Sequence, residues 1–445
     1  MEKKTKLGIN FGFRGWMLLI FEISAFVIFQ VFGNFPMNML GDLYGGAGRI
    51  SPIYTAGSLV GIALQLVLAN YVGKMKSIKP MVMAFGFASL VMGALVGALP
   101  IGGTPIWMVC YFLVNVLTNL YGMFGIGILI GQWFPTRKGV FMGIATFAFP
   151  VCNGLMGPFA NIVFNPIYME ANHHPNVFGG FLPFLIVGVV GWLIGLIFIK
   201  DYPEQVGCYR DNDKSFTKEK ADAMLAAELE AKKTTVWKIH NTLKCGQFWL
   251  ITIPMGALLG CSVGAMSQTT QIFAANGLAD KFGMLMGMVM VVSLVGSYLL
   301  GLVDGKWGTK TAITISVIFM LLAGILGAIG GGAMIPGIVC LSIFMGAGSN
   351  FTVSGAAQYW RREDFGTVFG YVNPVANVIQ CLGVMMFAML IAEVNVKAPF
   401  IATAIIAAIS LVCIICFKPA KVKAADDKYR AAVGKVLDDE LVGRK

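Results

Sequence analysis

"SLVGIALQLVLANYVG" (58–73) and "SLVGSYLLGLVDGKWG" (293–308) share an opening Ser-Leu-Val-Gly, a later Leu and a closing Gly at a constant offset of 235 residues. A second pair, "WFPTRKGVFMG" (133–143) and "WRREDFGTVFG" (360–370), recurs at an offset of 227. One such echo is common in apolar sequence, but two in the same order at similar offsets imply a duplicated unit. Composition says what that unit is made of. The 445 residues are 57% hydrophobic and 12% charged, with a mean hydropathy of +0.77. Soluble domains carry about 25% charged residues, so this chain has too little polar surface to cover itself in water. It is an integral membrane protein.

A bilayer core about 30 Å thick takes about 20 apolar residues as a helix. Runs of that length predict spans near 14–34, 51–71, 79–99, 105–132, 139–163, 180–200, 246–274, 282–303, 310–330, 335–358, 366–392 and 398–417. The expected fold is therefore all-α, with twelve transmembrane helices in two pseudo-symmetric bundles of six. Residues 1–200 form the first bundle, 201–245 a polar linker, 246–418 the second bundle and 419–445 a tail. Within the linker, "FTKEKADAMLAAELEAKKTT" is rich in helix formers and mixed charge, which predicts a helix lying at the membrane surface.

The formal charge of +11 does not call for nucleic acid, because of where the cations lie. With both termini cytoplasmic, Arg49, Lys281 and Lys397 fall outside and the other 30 of the 33 Lys and Arg fall inside. That is the positive-inside bias of a protein of the cell (inner) membrane. The first apolar run contains Glu22 and lacks a small-residue cleavage site, so it reads as a span and not as a signal peptide. Cys413 and Cys416 have no His or further Cys nearby and read as lipid-facing or packing residues. No metal site, cofactor or disulfide is expected. The expected partners are the lipid bilayer and a small-molecule substrate, handled by a monomer.

Twelve spans in two halves, with basic, Gly-containing loops after the second and eighth, resemble the major facilitator superfamily. Its signature loop is G-x-x-x-D-[RK]-x-G-x-[RK]. Here "GLVDGKWGTK" (301–310) keeps Gly301, Lys306, Gly308 and Lys310, with Asp304 one position early. The first-half copy keeps Gly73 and Lys74 and has Asn70 where Asp is usual. "GQWFPTRKGVFMGIA" and "YWRREDFGTVFGYVNP" are similar to the oxalate:formate antiporter family and, more distantly, to monocarboxylate porters. The resemblance implies a secondary carrier of small organic anions, working by alternating access around a site near the bilayer midplane, with the loop residues controlling conformation.

Polar side chains within spans usually face a partner helix or a watery cavity. Glu22, Phe26, Gln30 and Asn34 recur every fourth residue along one stripe of the first span, and Tyr111, Asn115 and Asn119 do so in the fourth. Gln268 and Gln271 in the seventh span, Asn350, Ser354 and Gln358 in the tenth, and Asn373, Asn377 and Gln380 in the eleventh follow spacings of three or four. Superfamily members line their cavity mainly with the first, fourth, seventh and tenth spans, so these stripes are expected to converge on one cavity. The bland reading is interhelical packing.

Glu22 is the sharpest candidate. An acidic side chain at a helix centre in lipid costs roughly 2.5–3.5 kcal/mol on insertion scales. Desolvation of that size is enough to let a carboxyl take up and release a proton near neutral pH, which makes Glu22 the proton-coupling candidate.

The eighth and eleventh spans carry no basic residue facing the cavity, where carriers of small carboxylates in the resembled family have them. A dianion such as oxalate would enter without a countercharge. A monocarboxylate with an apolar body, or a neutral molecule, fits better, moved with a proton or against a counter-anion. Met284, Met286, Met288 and Met290 are candidates for an adaptable wall or for ordinary packing. His173 and His174 lie in an outer loop, and "NGLMGPFAN" (153–161) reads as a bend or close-packing site. An enzyme is not expected, because the three histidines lie outside the spans and no phosphate-binding loop appears. The alternative function is export of hydrophobic or neutral compounds.

Overall fold

The computed structural model describes residues 10–44, 47–72, 75–135, 137–213, 215–232 and 235–432. Apolar runs fold as helices because lipid offers backbone groups no partner outside the helix itself. Eleven described helices are long and apolar enough to cross a bilayer, and a pair bent by 44° makes the twelfth. In the first half these are span 1 (Gly12–Met39), span 2 (Ala47–Val72), span 3 (Lys79–Ala98), span 4 (Pro105–Trp133), the bent span 5 (Val140–Gly154 and Met156–Asn172) and span 6 (Val177–Phe198). In the second they are span 7 (Gly246–Ser267), span 8 (Phe282–Trp307), span 9 (Thr309–Ile329), span 10 (Met334–Met345 and Gly348–Tyr359), span 11 (Arg362–Glu393) and span 12 (Ala398–Cys416).

Packing repeats from one half to the other. Spans 1 and 6, 3 and 6, 3 and 4, and 2 and 4 pack together, and so do their counterparts 7 and 12, 9 and 12, 9 and 10, and 8 and 10. Between the halves span 2 packs on span 11 and span 5 on span 8, the same contact under exchange of halves. This is the pseudo-symmetric architecture expected from the two sequence echoes.

One break falls where the sequence reads as a bend, and two boundaries differ from the sequence reading. Span 5 breaks at Leu155, inside "NGLMGPFAN", where Pro158 supplies no N–H to the turn before it. Gly154 beside the break lies against Met290 of span 8, so the segment is both bend and packing site. Span 7 ends at Ser267, and residues Thr269–Ala275 form a separate short helix. Span 10 is interrupted between Met345 and Gly348.

The termini of the described chain and the linker lie on one face, called here the linker face. A linker helix (Lys218–Lys232) packs against the start of span 11, and a tail helix (Pro419–Ala431) covers the span 10–11 turn. On this face the end of span 4 also meets spans 10 and 11, which shuts the seam between the halves. Among the described residues, spans 1 and 7 make no comparable contact.

A polar recess between the halves

Three spans depart from regular α-helix at one depth. Residues Asn119–Ile126 of span 4 form a π-helix, span 5 is interrupted between Ala145 and Ala148, and span 10 between Met345 and Gly348. Irregular backbone at membrane depth is tolerated where it is buried in protein or lines a cavity, and π-segments often mark functional sites. These breaks do surround a small recess of about 10 Å³, the space of roughly one water. The first half contributes Glu22 and Phe26 from span 1, Gly122, Met123 and Gly127 from span 4, and Met142 from span 5. Ser349, Thr352 and Val353 of span 10 and Asn373 of span 11 complete it. Small-molecule pockets run to roughly 300–1,000 Å³, so the recess must widen to admit a solute and is nearly shut in this closed-seam conformation.

Glu22 is 0% exposed, and among the described residues neither of its carboxyl oxygens has a hydrogen-bond partner. Phe26, one turn on, packs its ring against Phe149 of span 5 with centroids 4.8 Å apart and planes tilted by 32°. The rest of that stripe is engaged elsewhere: Asn34 donates to Gln30 Oε1 (2.8 Å), and Gln30 donates to Asn153 Oδ1 of span 5 (2.9 Å).

The span 4 stripe is turned away from the recess. Tyr111 donates its hydroxyl to the Gly33 carbonyl (2.6 Å), Asn115 to the Tyr111 carbonyl (2.7 Å) and Asn119 to the Asn115 carbonyl (2.8 Å). Asn115 and Asn119 lie against Gly57 and Gly61 of span 2, so these amides serve helix packing within the first half. Of the five stripes, Glu22 and Phe26 of span 1 and Asn373 of span 11 line this recess. Gln268 is the half-buried residue closing span 7 and Gln271 is exposed on the short helix after it; neither lines the recess.

Span 11 supplies the connection between halves. Asn373 donates to Gln65 Oε1 of span 2 (2.9 Å) and to the Met123 carbonyl in the π-segment (3.2 Å), and accepts from Thr352 (3.4 Å). Gln65 donates in turn to the Asn119 carbonyl (3.2 Å). With its amide oriented to satisfy both atoms, Asn350 donates to the Met142 carbonyl (3.1 Å) and accepts from the Gly143 N–H (3.3 Å). Ser354 and Asn377 are buried, with no side-chain partner among the described residues, and Gln380 is half-buried. The sequence reading missed Gln65. The signal was inside the first repeat, where Gln65 stands opposite Leu300 of the second.

The loop residues after span 8 brace the second half. Thr309 donates its hydroxyl to Asp304 (2.5 Å) and its N–H to Gln358 Oε1 (2.7 Å), while Gly308 adopts φ 87° to make the turn. The Lys310 N–H donates to Tyr359 Oη (2.8 Å), and its ammonium group donates to the Phe417 carbonyl (2.7 Å). Lys306 lies 4.9 Å from the centre of the Trp307 ring. Asn70 lies in span 2, and Gly73 and Lys74 lie outside the described residues. His173 and His174 are exposed, as is Met284, whereas Met290 packs at the span 5–8 contact.

Solved structures share this architecture at low sequence identity. The chain is similar to the proton:xylose symporter XylE bound to 6-bromo-6-deoxy-D-glucose (TM-score 0.68, 10% identity, 92% of this chain and 98% of that one). It is also similar to the human organic anion transporter MFSD10 (0.61, 13%, 91% and 100%) and to FucP in the outward conformation (0.62, 12%, 93% and 99%). No family model and no curated protein matches the sequence. The fold is that of the major facilitator superfamily transporters.

Proposed function

We propose that this protein is a secondary active transporter that moves a small organic solute by alternating access, with Glu22 exchanging a proton during the cycle. The observation that carries this reading is the Glu22 carboxyl itself, fully buried, without a partner among the described residues, at a recess built from both halves. A group so placed gains a partner only from a proton, from a solute or from movement of the halves, and each of these links protonation to transport. The excess of Lys and Arg on the linker side supports a cytoplasmic linker face in the cell membrane, both termini inside. The closed-seam conformation is then the outward-facing one.

For the solute, the preferred class is a monocarboxylate or other small organic monoanion carried with a proton or in exchange for another anion, in line with the loop resemblance to oxalate:formate antiporters. Phe26, Met123, Met142 and Val353 suit an apolar body, and Thr352 and Asn373 suit a polar head. A second reading is favoured by one observation: among the described residues no Lys, Arg or His lines the recess. A neutral solute, imported or exported, needs no countercharge. A competition screen on purified protein in liposomes under imposed pH gradients separates the two. Competition confined to related carboxylic acids supports the anion reading, and competition by neutral or lipophilic compounds overturns it.

A further inference from the structure

The linker crosses from one half to the other, and each end of it is fastened. Its first part belongs to the first half: Gln132 donates to Tyr202 Oη (3.4 Å), Trp133 to the Lys200 carbonyl (2.9 Å), and the Arg137 N–H to Asp211 (2.9 Å). Its last part belongs to the second half: Thr235 donates to Asp364 (2.5 Å) and Trp237 to Asp426 of the tail helix (2.8 Å). Between these anchors lies the linker helix, and Glu228 on it sits at the seam.

There Glu228 pairs with Arg210 (2.8 Å) and with Arg362 at the start of span 11 (3.0 Å), while Arg210 also pairs with Glu204 (2.5 Å). Side-chain exposures are 3% for Glu228, 7% for Arg210, 9% for Arg362 and 1% for Glu204. Arg362 further donates to the Gln132 carbonyl at the end of span 4. The four charges cancel: Arg210 and Glu204 lie in the part of the linker fastened to the first half, Arg362 in the second half, and Glu228 on the helix between them. Separating the halves on this face must break one of the two pairs of Glu228, leaving unequal charges on the two sides. A buried pair broken on one side is strongly unfavourable, because it strands a charge.

We propose that Glu228 makes the linker helix a lock on the seam: its shared carboxylate holds Arg362 against the first half, and its release is a required step in opening the linker face. The proposal rests on the alternating-access reading but not on Glu22 or on any solute. Hydrogen exchange of the full-length protein in nanodiscs, without added ligand, tests it. In Glu228→Gln the segments 127–133 and 362–370 should exchange about tenfold faster, while the opposite ends of spans 1 and 7 exchange more slowly, since opening one face closes the other. Glu228→Asp should stay near the parent. Arg362→Lys, which keeps the charge but loses the guanidinium fork, should change in the same direction by less, and serves if the first variant does not fold. Unchanged exchange, or faster exchange on both faces, overturns the lock. Opposite changes on the two faces sustain it even if Glu22 proves unrelated to proton coupling.

Discussion

Replacing Glu22 with Gln keeps the shape of the recess and removes the proton site. The side chain is 0% exposed with no partner for either oxygen among the described residues, so the substitution breaks no hydrogen bond or ion pair. An unpaired carboxylate held there would cost several kcal/mol, so the melting temperature should hold or rise. Transport should respond differently. One proton carried per solute stores 1.36 kcal/mol for each unit of pH difference, which is about a tenfold accumulation. In proteoliposomes loaded with a solute found by the competition screen, the parent should reach about tenfold accumulation per pH unit, and Glu22→Gln should fall to about onefold. Counterflow without a pH gradient should persist, because the cavity is intact. Full accumulation by Glu22→Gln would refute the coupling role. Loss of counterflow together with a lowered melting temperature would reduce Glu22 to a packing residue.

Other predictions concern the seam. A Cβ on Gly131 would overlap the ring of Phe365, across from span 4 in the other half; Gly131→Ala should cost about 1–3 kcal/mol of stability and speed exchange on the linker face. In a double-mutant cycle, Gln65→Leu and Asn373→Leu should couple by about 0.6–1.7 kcal/mol in thermal unfolding, since their 2.9 Å bond joins the halves; additive effects would show the bond to be energetically idle. At Asp426 burial pushes the carboxyl up, but hydrogen bonds from Arg361 and Trp237 and the charge of Arg430 outweigh it and hold the carboxyl below its ordinary 3.8. A depressed carboxyl contributes stability above its ordinary range and loses it as pH falls through the folded value. The contribution of Asp426 to tail-helix protection should therefore stay flat from neutral pH down to about 5, vanish only in stronger acid, and be lost at neutral pH in Asp426→Asn.

The spans were legible because a bilayer fixes both the length and the composition of what crosses it. The bend in span 5 was legible too, because Pro158 lacks an N–H in any surroundings. The polar stripes were only half legible. A spacing of four places Asn115 and Asn119 on one face of span 4 but leaves open what that face meets. Gly57 and Gly61, also four apart, were the missing half of the pattern: a Gly stripe invites a neighbouring helix close, and the amides pack into it. The π-helix at Asn119–Ile126 has no periodic signature, so the recess it opens was not foreseeable from pattern alone.

The linker shows the same limit from the polar side. Its charges read as a solvated surface helix, because propensity and charge spacing are local quantities. Arg362 lies 134 positions beyond Glu228, and nothing between them signals that they meet. Once they do, the meaning of both changes: an ordinary helix glutamate becomes a buried shared acceptor, and the basic turn that fixed membrane orientation becomes a piece of the seam. Beside the packing of span 2 on span 11 and span 5 on span 8, the two halves then touch through two kinds of polar contact. At the recess they are amide bonds, each worth about 1 kcal/mol and easily exchanged for bonds to a solute. At the linker face they are buried charges whose separation is far more costly. A solute can therefore bind without opening the linker face by itself, and the step that carries it across must also release Arg362.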